Sequence, residues 1–317
     1  MITIIGAGMA GLLAGHLLRR HNPLIVEAQP TLPNNHSAVL RFRSPEIGDL
    51  IGIPFKKVKM IKASVPWLNP VADALAYSRK TTGTARSDRS ITSSSHETHD
   101  RWIAPPDFIQ RMAKGLDISY GVEHDFSFFK KVLSTIPLPV LAKKLKYDRP
   151  LSCESVVGFN VRANVTGVDA YVSLYIPSPY HNFNRVSITG DELIVEFSLP
   201  GSTEEEARIW ASDEEHSMKS ARTALSLLGL DDVEPHDIVS KVQRYSKILP
   251  MNDEHRRTFI HWASSVTGKA WQLGRYATWR PGLLMDDLVQ DLRVIDRWIL
   301  DGAAAPYEME KFERMKK

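Results

Sequence analysis

Cysteine is nearly absent from this 317-residue chain: Cys153 stands alone, so no intrachain disulfide can form. An isolated thiol reads as a small buried hydrophobe rather than a nucleophile, and it fits a reducing compartment. Long apolar runs are also missing. None approaches the roughly 18 residues a transmembrane helix needs, so no membrane association is expected. The first apolar stretch runs into glycines instead of a small-residue cleavage site, so no signal peptide is expected and the protein is read as cytoplasmic. The histidines show no HxxxH spacing, and no metal site is predicted. A Gly-Lys-Ser phosphate loop and a GxSxG elbow are both absent, which removes two large enzyme classes. Excess charge of one sign is small, 40 basic against 37 acidic residues for a net +3, and gives little support to a polyanionic partner. Two basic clusters do stand out, Lys56, Lys57, Lys59 and Lys62, then Lys143, Lys144 and Lys146. They read as solvated faces or as phosphate contacts. With 43% hydrophobic and 24% charged residues the composition is that of a globular protein with a sizeable core.

The strongest positive signal is at the N-terminus. Ile2, Ile4 and Ile5 read as a buried parallel strand, and Gly6, Gly8 and Gly11 follow at GxGxxG spacing. The first glycine permits the turn, the second lets backbone approach a pyrophosphate, and the third allows close helix packing. Ala10, Leu13 and Leu17 then repeat at helical spacing, and Arg19 and Arg20 complement the dipole in the last turn. His21-Asn22-Pro23 breaks the helix, and Leu24, Ile25 and Val26 form a second strand ending at Glu27. Glu27 lies 21 residues after Gly6, where a carboxylate accepts ribose hydroxyls and repels a 2′-phosphate. This predicts a dinucleotide site and disfavours NADP, but leaves FAD and NAD equivalent.

Further along, residues 31–57 read as an irregular connection and 79–100, rich in Ser, Thr and Arg, as an exposed loop or lid. A short helix is expected near Asp107, a strand within Lys131–Pro137 and a helix over Leu138–Leu145. Residues 155–199 alternate as strands, with a hairpin turn at Gly190-Asp191. Ser202 with Glu205 suggests a capping box for a helix to about Ala211, and a second helix runs from Glu214 to Leu228. Trp271–Gly274 reads as a strand followed by Arg275. Leu288, Leu292, Ile295 and Ile299 then mark a helix that begins at Asp286 and Asp287 and stops at Gly302.

Three pieces in order, GAGMAGLLAG with Glu27, STIPLPVL at Ser134–Leu141, and LGRYATW through LLMDDLV at Leu273–Val289, resemble the FAD-containing amine oxidase and UDP-galactopyranose mutase superfamily. FNRVSI at Phe183–Ile188 is similar to a substrate-domain motif of the mutases. The resemblance implies an α/β fold: a Rossmann-type FAD-binding domain, a doubly wound parallel sheet, with an inserted β-rich α+β substrate domain. Residues 1–57, 101–149 and 236–317 would form the first, and 58–100 and 150–235 the second. It implies FAD as cofactor, with Gly6, Gly8, Met9, Ala10, Gly11 and Glu27 at its ADP half. Gly274, Arg275, Met285 and Asp286 would lie near the pyrophosphate, ribityl chain and isoalloxazine, and Arg43 near the family's early arginine. The usual paired glycines after Glu27 are replaced by Pro33, Asn34, Asn35, His36 and Ser37.

The leading expectation is an oxidoreductase that oxidises and cleaves an amine C–N bond, with oxygen as electron acceptor. Compact phage-encoded flavoproteins of thymine hypermodification look similar, which implies a glycyl-thymine of DNA as substrate and an aminomethyl base as product. One alternative is a mutase-like non-redox flavoenzyme on a nucleotide sugar, with Arg185, Tyr180 and Tyr175 clamping a diphosphate. Another is a non-catalytic flavin-binding module. Lys247, Arg185 and His36 are the candidate catalytic side chains, each weighed against a plain surface or loop role.

Overall fold

The computed structural model describes residues 1–33, 40–86, 97–123, 126, 131–268 and 270–301. In chain order its elements are β1 (Ile2–Ile5), α1 (Met9–Leu17), β2 (Pro23–Glu27), β3 (Arg41–Phe42), α2 (Glu46–Ile51), β4 (Lys56–Ser64), α3 (Pro70–Thr82), β5 (Glu97–Ile103), α4 (Phe108–Ala113), β6 (Asp117–Tyr120), β7 (Val132–Ser134) and α5 (Leu138–Lys144). There follow β8 (Ser155–Val165), β9 (Ala170–Tyr175), β10 (Arg185–Gly190), β11 (Glu192–Leu199), α6 (Glu204–Ser212), α7 (Glu214–Ser226), β12 (Pro235–Ile248), α8 (Asp253–Val266), β13 (Trp271–Gln272) and α9 (Met285–Asp301). No described helix is long and apolar enough to cross a membrane.

The first sheet is parallel throughout, in the order β13-β7-β1-β2-β6. The chain steps outward from β1 to β2 and β6, then returns to the other side of β1 with β7 and β13. The order therefore reverses between β1 and β7. β1 is buried along its whole length because both faces of the sheet are covered. Ile2 and Ile4 pack with Leu12 and Leu13 of α1 and with Leu292 and Ile295 of α9, while Ile5 belongs to a separate core with Leu138 of α5 and Phe259 of α8. The doubly wound arrangement expected from the sequence is what the chain adopts.

The second sheet has the order β12-β8-β11-β10-β9-β4-β5-β3 and is antiparallel except where β4 meets β9. One face is apolar: Phe159, Val161, Val186 and Val195 pack with Ala221 and Leu225 of α7. Phe159 stacks on Phe197 across the β8–β11 pair, with centroids 4.2 Å apart.

Some local expectations change. Residues 31–57 contain β3 and α2, because Phe42 is drawn into an aromatic cluster with Phe55 and Phe108. The loop expected over 79–100 is entered by α3 and left by β5, since Gly83 caps α3 in a left-handed turn and β5 pairs with β4 from Glu97 onward; residues 87–96 lie outside the described residues. The capping box belongs to Thr203 and Glu206, one residue beyond the expected pair, with both reciprocal bonds made. The predicted helix stop at Gly302 lies outside the described residues.

Phe159→Ala removes a fully buried ring from the stacked pair and should cost about 3–5 kcal/mol. Urea unfolding followed by circular dichroism checks this; a loss below about 1 kcal/mol would show that this face of the sheet is not a packed core.

Candidate functional site

The glycine-rich loop leaves β1 at the point where the strand order reverses. Gly6 has φ +99°, and a side chain there would collide with the Thr135 hydroxyl, which donates 2.8 Å to the Ile5 carbonyl oxygen. A Cβ at Gly11 would enter the van der Waals shell of the Gly6 carbonyl oxygen, so the first turn of α1 folds directly back on the loop. Gly8 differs: nothing lies within 4 Å of the Cβ it lacks. It is the N-cap of α1, and among the described residues no side chain caps the first-turn amides. Open space beside uncapped amides at a helix N-terminus suits a pyrophosphate. Glu27 is buried at the end of β2, where its oxygens accept from the Ala7 amide at 2.7 Å and the Gln29 amide at 2.9 Å. Each oxygen keeps a second acceptor direction, as a ribose diol requires.

The distant C-terminal piece arrives at the same place. β13 lies beside β7, and the Leu273 amide donates to the Ser134 carbonyl oxygen at 2.9 Å. Gly274 has φ +101°, and a Cβ there would sit 3.2 Å from that of Ala10 in α1. The following turn is closed by the Thr278 hydroxyl donating 2.8 Å to the Gly274 carbonyl. Asp286, in the first turn of α9, accepts the Arg43 amide at 3.0 Å, and the Arg43 guanidinium is 3.6 Å from Asp287. Met285 packs against the core under α1. Gly6, Gly8, Met9, Ala10, Gly11 and Glu27 are thus gathered on one side of the loop, with Gly274 and Arg275 on the other. Arg43 and Asp286 form a bonded pair at the start of α9.

The second sheet brings the other half of the site. Its registers align Tyr175 of β9, Arg185 of β10, Glu196 of β11, Asn160 of β8 and Lys241 of β12 in one row across the strands. Partners in register share a face, so this face is polar where the opposite one is apolar. It is also covered: Asn160, Ser173 and Ser187 are buried. Arg185 binds Glu196 through two nitrogens. Burial drives the Glu196 carboxyl upward, but the Arg185 and Lys247 charges and the Arg185 hydrogen bonds outweigh it, and the net shift is below the ordinary value. Arg41 leaves β3 toward the same face and donates 2.6 Å to the Thr189 hydroxyl; burial, then the Arg185 charge, pulls its guanidinium down to about 10. From α3, Tyr77 packs edge-on against Tyr175, and burial pushes its phenol up to about 12. One turn later the Lys80 ammonium donates to the Ile176 and Ser178 carbonyls, holding the segment that joins Tyr175 to Arg185. Burial lowers Lys80 to about 7.

Of the candidate catalytic residues, Arg185 and Lys247 come together around Glu196, and His36 lies outside the described residues. The alternative for Arg185 is a plain surface role; its face is part-covered instead, with the Arg185 side chain 30% exposed and Asn160, Ser173 and Ser187 buried. Of the proposed clamp, Tyr175 is adjacent to Arg185 while Tyr180 is 83% exposed and belongs to the surface. Glu196, Arg41 and Tyr77 were not singled out from the sequence. Alternation alone marks Glu196 as the partner face of Arg185, but polar alternation ordinarily signals solvent. Cys153 is half-buried, and burial raises its thiol to about 11, which suits an inert residue.

The Glu196 carboxyl has a lower pKa in the folded chain than its ordinary 4.5, so its contribution is complete above that value and fades as pH falls through the folded one. Glu196→Gln should cost about 1.5–3 kcal/mol at neutral pH and remove part of the acid-side loss of stability. Urea melts between about pH 7 and about pH 3 test this; an acid slope equal to the wild type's would mean that Glu196 carries no such linkage.

No family model matches the chain, and no curated protein matches it. Solved structures do. A reduced UDP-galactopyranose mutase superposes with a TM-score of 0.67 at 11% identity, over 96% of this chain and 94% of that one. A geranylgeranyl bacteriochlorophyll reductase-like protein from Thermoplasma acidophilum gives 0.53 at 11% identity, over 100% and 82%. Glycine oxidase from Bacillus cereus gives 0.50 at 12% identity, over 78% and 82%. At such identities the likeness establishes a shared fold.

Proposed function

We propose that this chain is an FAD-dependent oxidoreductase that oxidises an amine at the carbon bearing its nitrogen. The observation that carries the reading is the convergence of two segments far apart in sequence. The Gly6–Gly11 loop and Gly274 are in van der Waals reach of one another, at the switch point of a parallel sheet. Ligands of open α/β sheets bind at such points. The first-turn amides at Met9, Ala10 and Gly11 would orient the phosphates, and Glu27 would accept the ribose hydroxyls. Gly274, Arg275, Met285, Asp286 and Arg43 would border the remainder of the cofactor. Bound FAD supplies a two-electron acceptor for a hydride. The chain supplies orientation through the polar face of the second sheet, and Lys247 brings a basic group beside Glu196.

The fold likeness to a glycine oxidase and to a mutase leaves the substrate to experiment. Purified protein should be yellow. Under anaerobic conditions an amine substrate should bleach it, and air should restore the colour with release of peroxide. The amine panel includes glycine, simple primary amines and a glycyl-modified thymidine, which covers the DNA-modification substrate. Bleaching only by a chemical reductant, followed by isomerisation of a nucleotide sugar, would favour the mutase-like chemistry. A colourless preparation that ignores added FAD would sink the flavoenzyme reading. Glu27→Gln should weaken FAD binding by about ten-fold while the far-ultraviolet circular dichroism stays unchanged.

A further inference from the structure

Lys80 is a titratable group that no step of the proposed oxidation uses. It stands in the last turn of α3, half-buried, against the connection from β9 to β10. That connection closes at its base, where the Ile176 amide donates 3.0 Å to the Asn184 carbonyl. Ile176, Pro177 and Ser178 are buried, whereas Pro179, Tyr180 and Asn182 are exposed. The Lys80 Nζ donates to the Ile176 carbonyl at 3.0 Å and to the Ser178 carbonyl at 2.7 Å. The amine therefore lies where a buried stretch gives way to a solvated tip. Among the described residues no carboxylate pairs with it. The titratable groups on the surrounding elements are Tyr77, Arg79 and Arg86 on and after α3, Tyr175 on β9, His181 on the connection, Arg185 on β10 and Glu196 on β11. His181 registers the Lys80 charge: burial, then that charge, lowers its imidazole.

A buried cation without a counter-ion is costly, and burial pulls the Lys80 amine down to about 7. The bonds it makes suit the neutral form. A neutral amine has two N–H donors and one lone pair. The Ile176 and Ser178 carbonyls take both donors, which leaves the lone pair in the remaining tetrahedral direction, away from both. An ammonium would carry a third N–H with no acceptor among the described residues. Desolvated lysines that shed their proton near neutrality are nucleophiles.

We propose that Lys80 is a nucleophilic amine and the site of a covalent modification, taking the acyl group of an activated donor of the acyl phosphate class. The lone pair of the neutral Nζ attacks the acyl carbonyl carbon. A C–N bond forms, the C–O bond to phosphate breaks, phosphate leaves with the electron pair, and one Nζ proton passes to solvent. The amide product carries one N–H in place of two, so either the Ile176 or the Ser178 carbonyl loses its donor. Acylation thereby loosens the base of the connection that leads into Arg185 of β10. None of these steps requires flavin, so the inference stands apart from the oxidase reading.

Treatment of the purified protein with acetyl phosphate tests this, with acetylation of each lysine followed by peptide mass spectrometry. The exposed Lys143 and Lys144 serve as internal references. At about pH 7 Lys80 should react about ten-fold faster than either, because an ordinary lysine amine stays protonated until about pH 10. Its rate should level off above about pH 8, while the references continue to gain. A Lys80 rate no greater than theirs at neutral pH, or one that climbs in step with theirs, would overturn the assignment. Exposed Tyr180 reports the consequence: chymotrypsin should cut after it about three-fold faster or more in the acetylated protein. Lys80→Arg keeps donors for both carbonyls and should be cut at the untreated rate before and after acetyl phosphate. Equal acceleration in that variant would trace the loosening to other lysines and overturn it. Should the variant fail to fold, the wild-type labelling rates still decide the assignment.

Discussion

Everything in the first half of the molecule depends on how closely backbone meets backbone at the end of β1. Gly6 passes under the Thr135 hydroxyl, Gly11 lies against the Gly6 carbonyl, and Gly274 lies against Ala10. Each approach excludes a side chain. Together they bring the ends of β1, β7 and β13 close to the start of α1, whose first-turn amides no described side chain caps. A helix N-terminus in this condition is an electrostatic site before any ligand is considered. The buried Glu27 completes it, since an acid at the tip of β2 bonded to two backbone amides is held in place for further donors.

The second sheet solves a different problem. Its apolar face is an ordinary core against α7, and a solvated opposite face would complete an ordinary antiparallel layer. The opposite face instead carries buried Asn160, Ser173 and Ser187 and the part-buried Arg185–Glu196 pair. A buried pair of this kind is weak evidence for stability, because desolvation offsets much of its attraction. Polar groups kept in such a place are better explained by what they face than by what they hold together. Anything this face recognised would be held by strands, which are more rigid than loops.

Much of the first sheet was legible because its signals are local. Glycine spacing, a helical repeat and an acid at a fixed distance each have a separate physical reason, and the three agree. The Gly274 strand end and the Asp286 start of α9 are legible as pattern, and only the resemblance ties them to a cofactor; in the fold Gly274 lies against Ala10 of α1, and Asp286 accepts the Arg43 amide. Legibility fails where the deciding partner is distant. Nothing near Phe42 announces that Phe55 and Phe108 will order it, so β3 and α2 were read as irregular chain. Glu196 alternates as any exposed strand acid would, and only the sheet order reveals its buried setting beside Arg185 and Lys247. The capping box was misplaced by one residue because Ser202-Thr203 and Glu205-Glu206 offer two equivalent frames, and the bonds choose between them.

One departure from local preference lies between the two sheets. Trp279 is buried with φ +48°, a left-handed conformation that a bulky residue adopts at a cost of about 1–3 kcal/mol. What holds it there is the second sheet: its indole N–H donates 3.0 Å to the Leu249 carbonyl, and its ring meets Tyr245 of β12 edge-on. Tyr276 reaches the same strand, its hydroxyl donating 3.1 Å to the Tyr245 carbonyl. The loop that carries Gly274 against α1 is therefore fastened at its far end to the strand that carries Lys247. β12 changes register between Gln243 and Lys247, within the segment these bonds engage. A bulge re-aims side chains, and here it lies beside the candidate site. The strained tryptophan and the shifted strand are parts of one connection, which fixes the glycine loop relative to the polar face. If a cofactor and a substrate occupy the two halves, their mutual orientation is set by this connection rather than by either sheet alone.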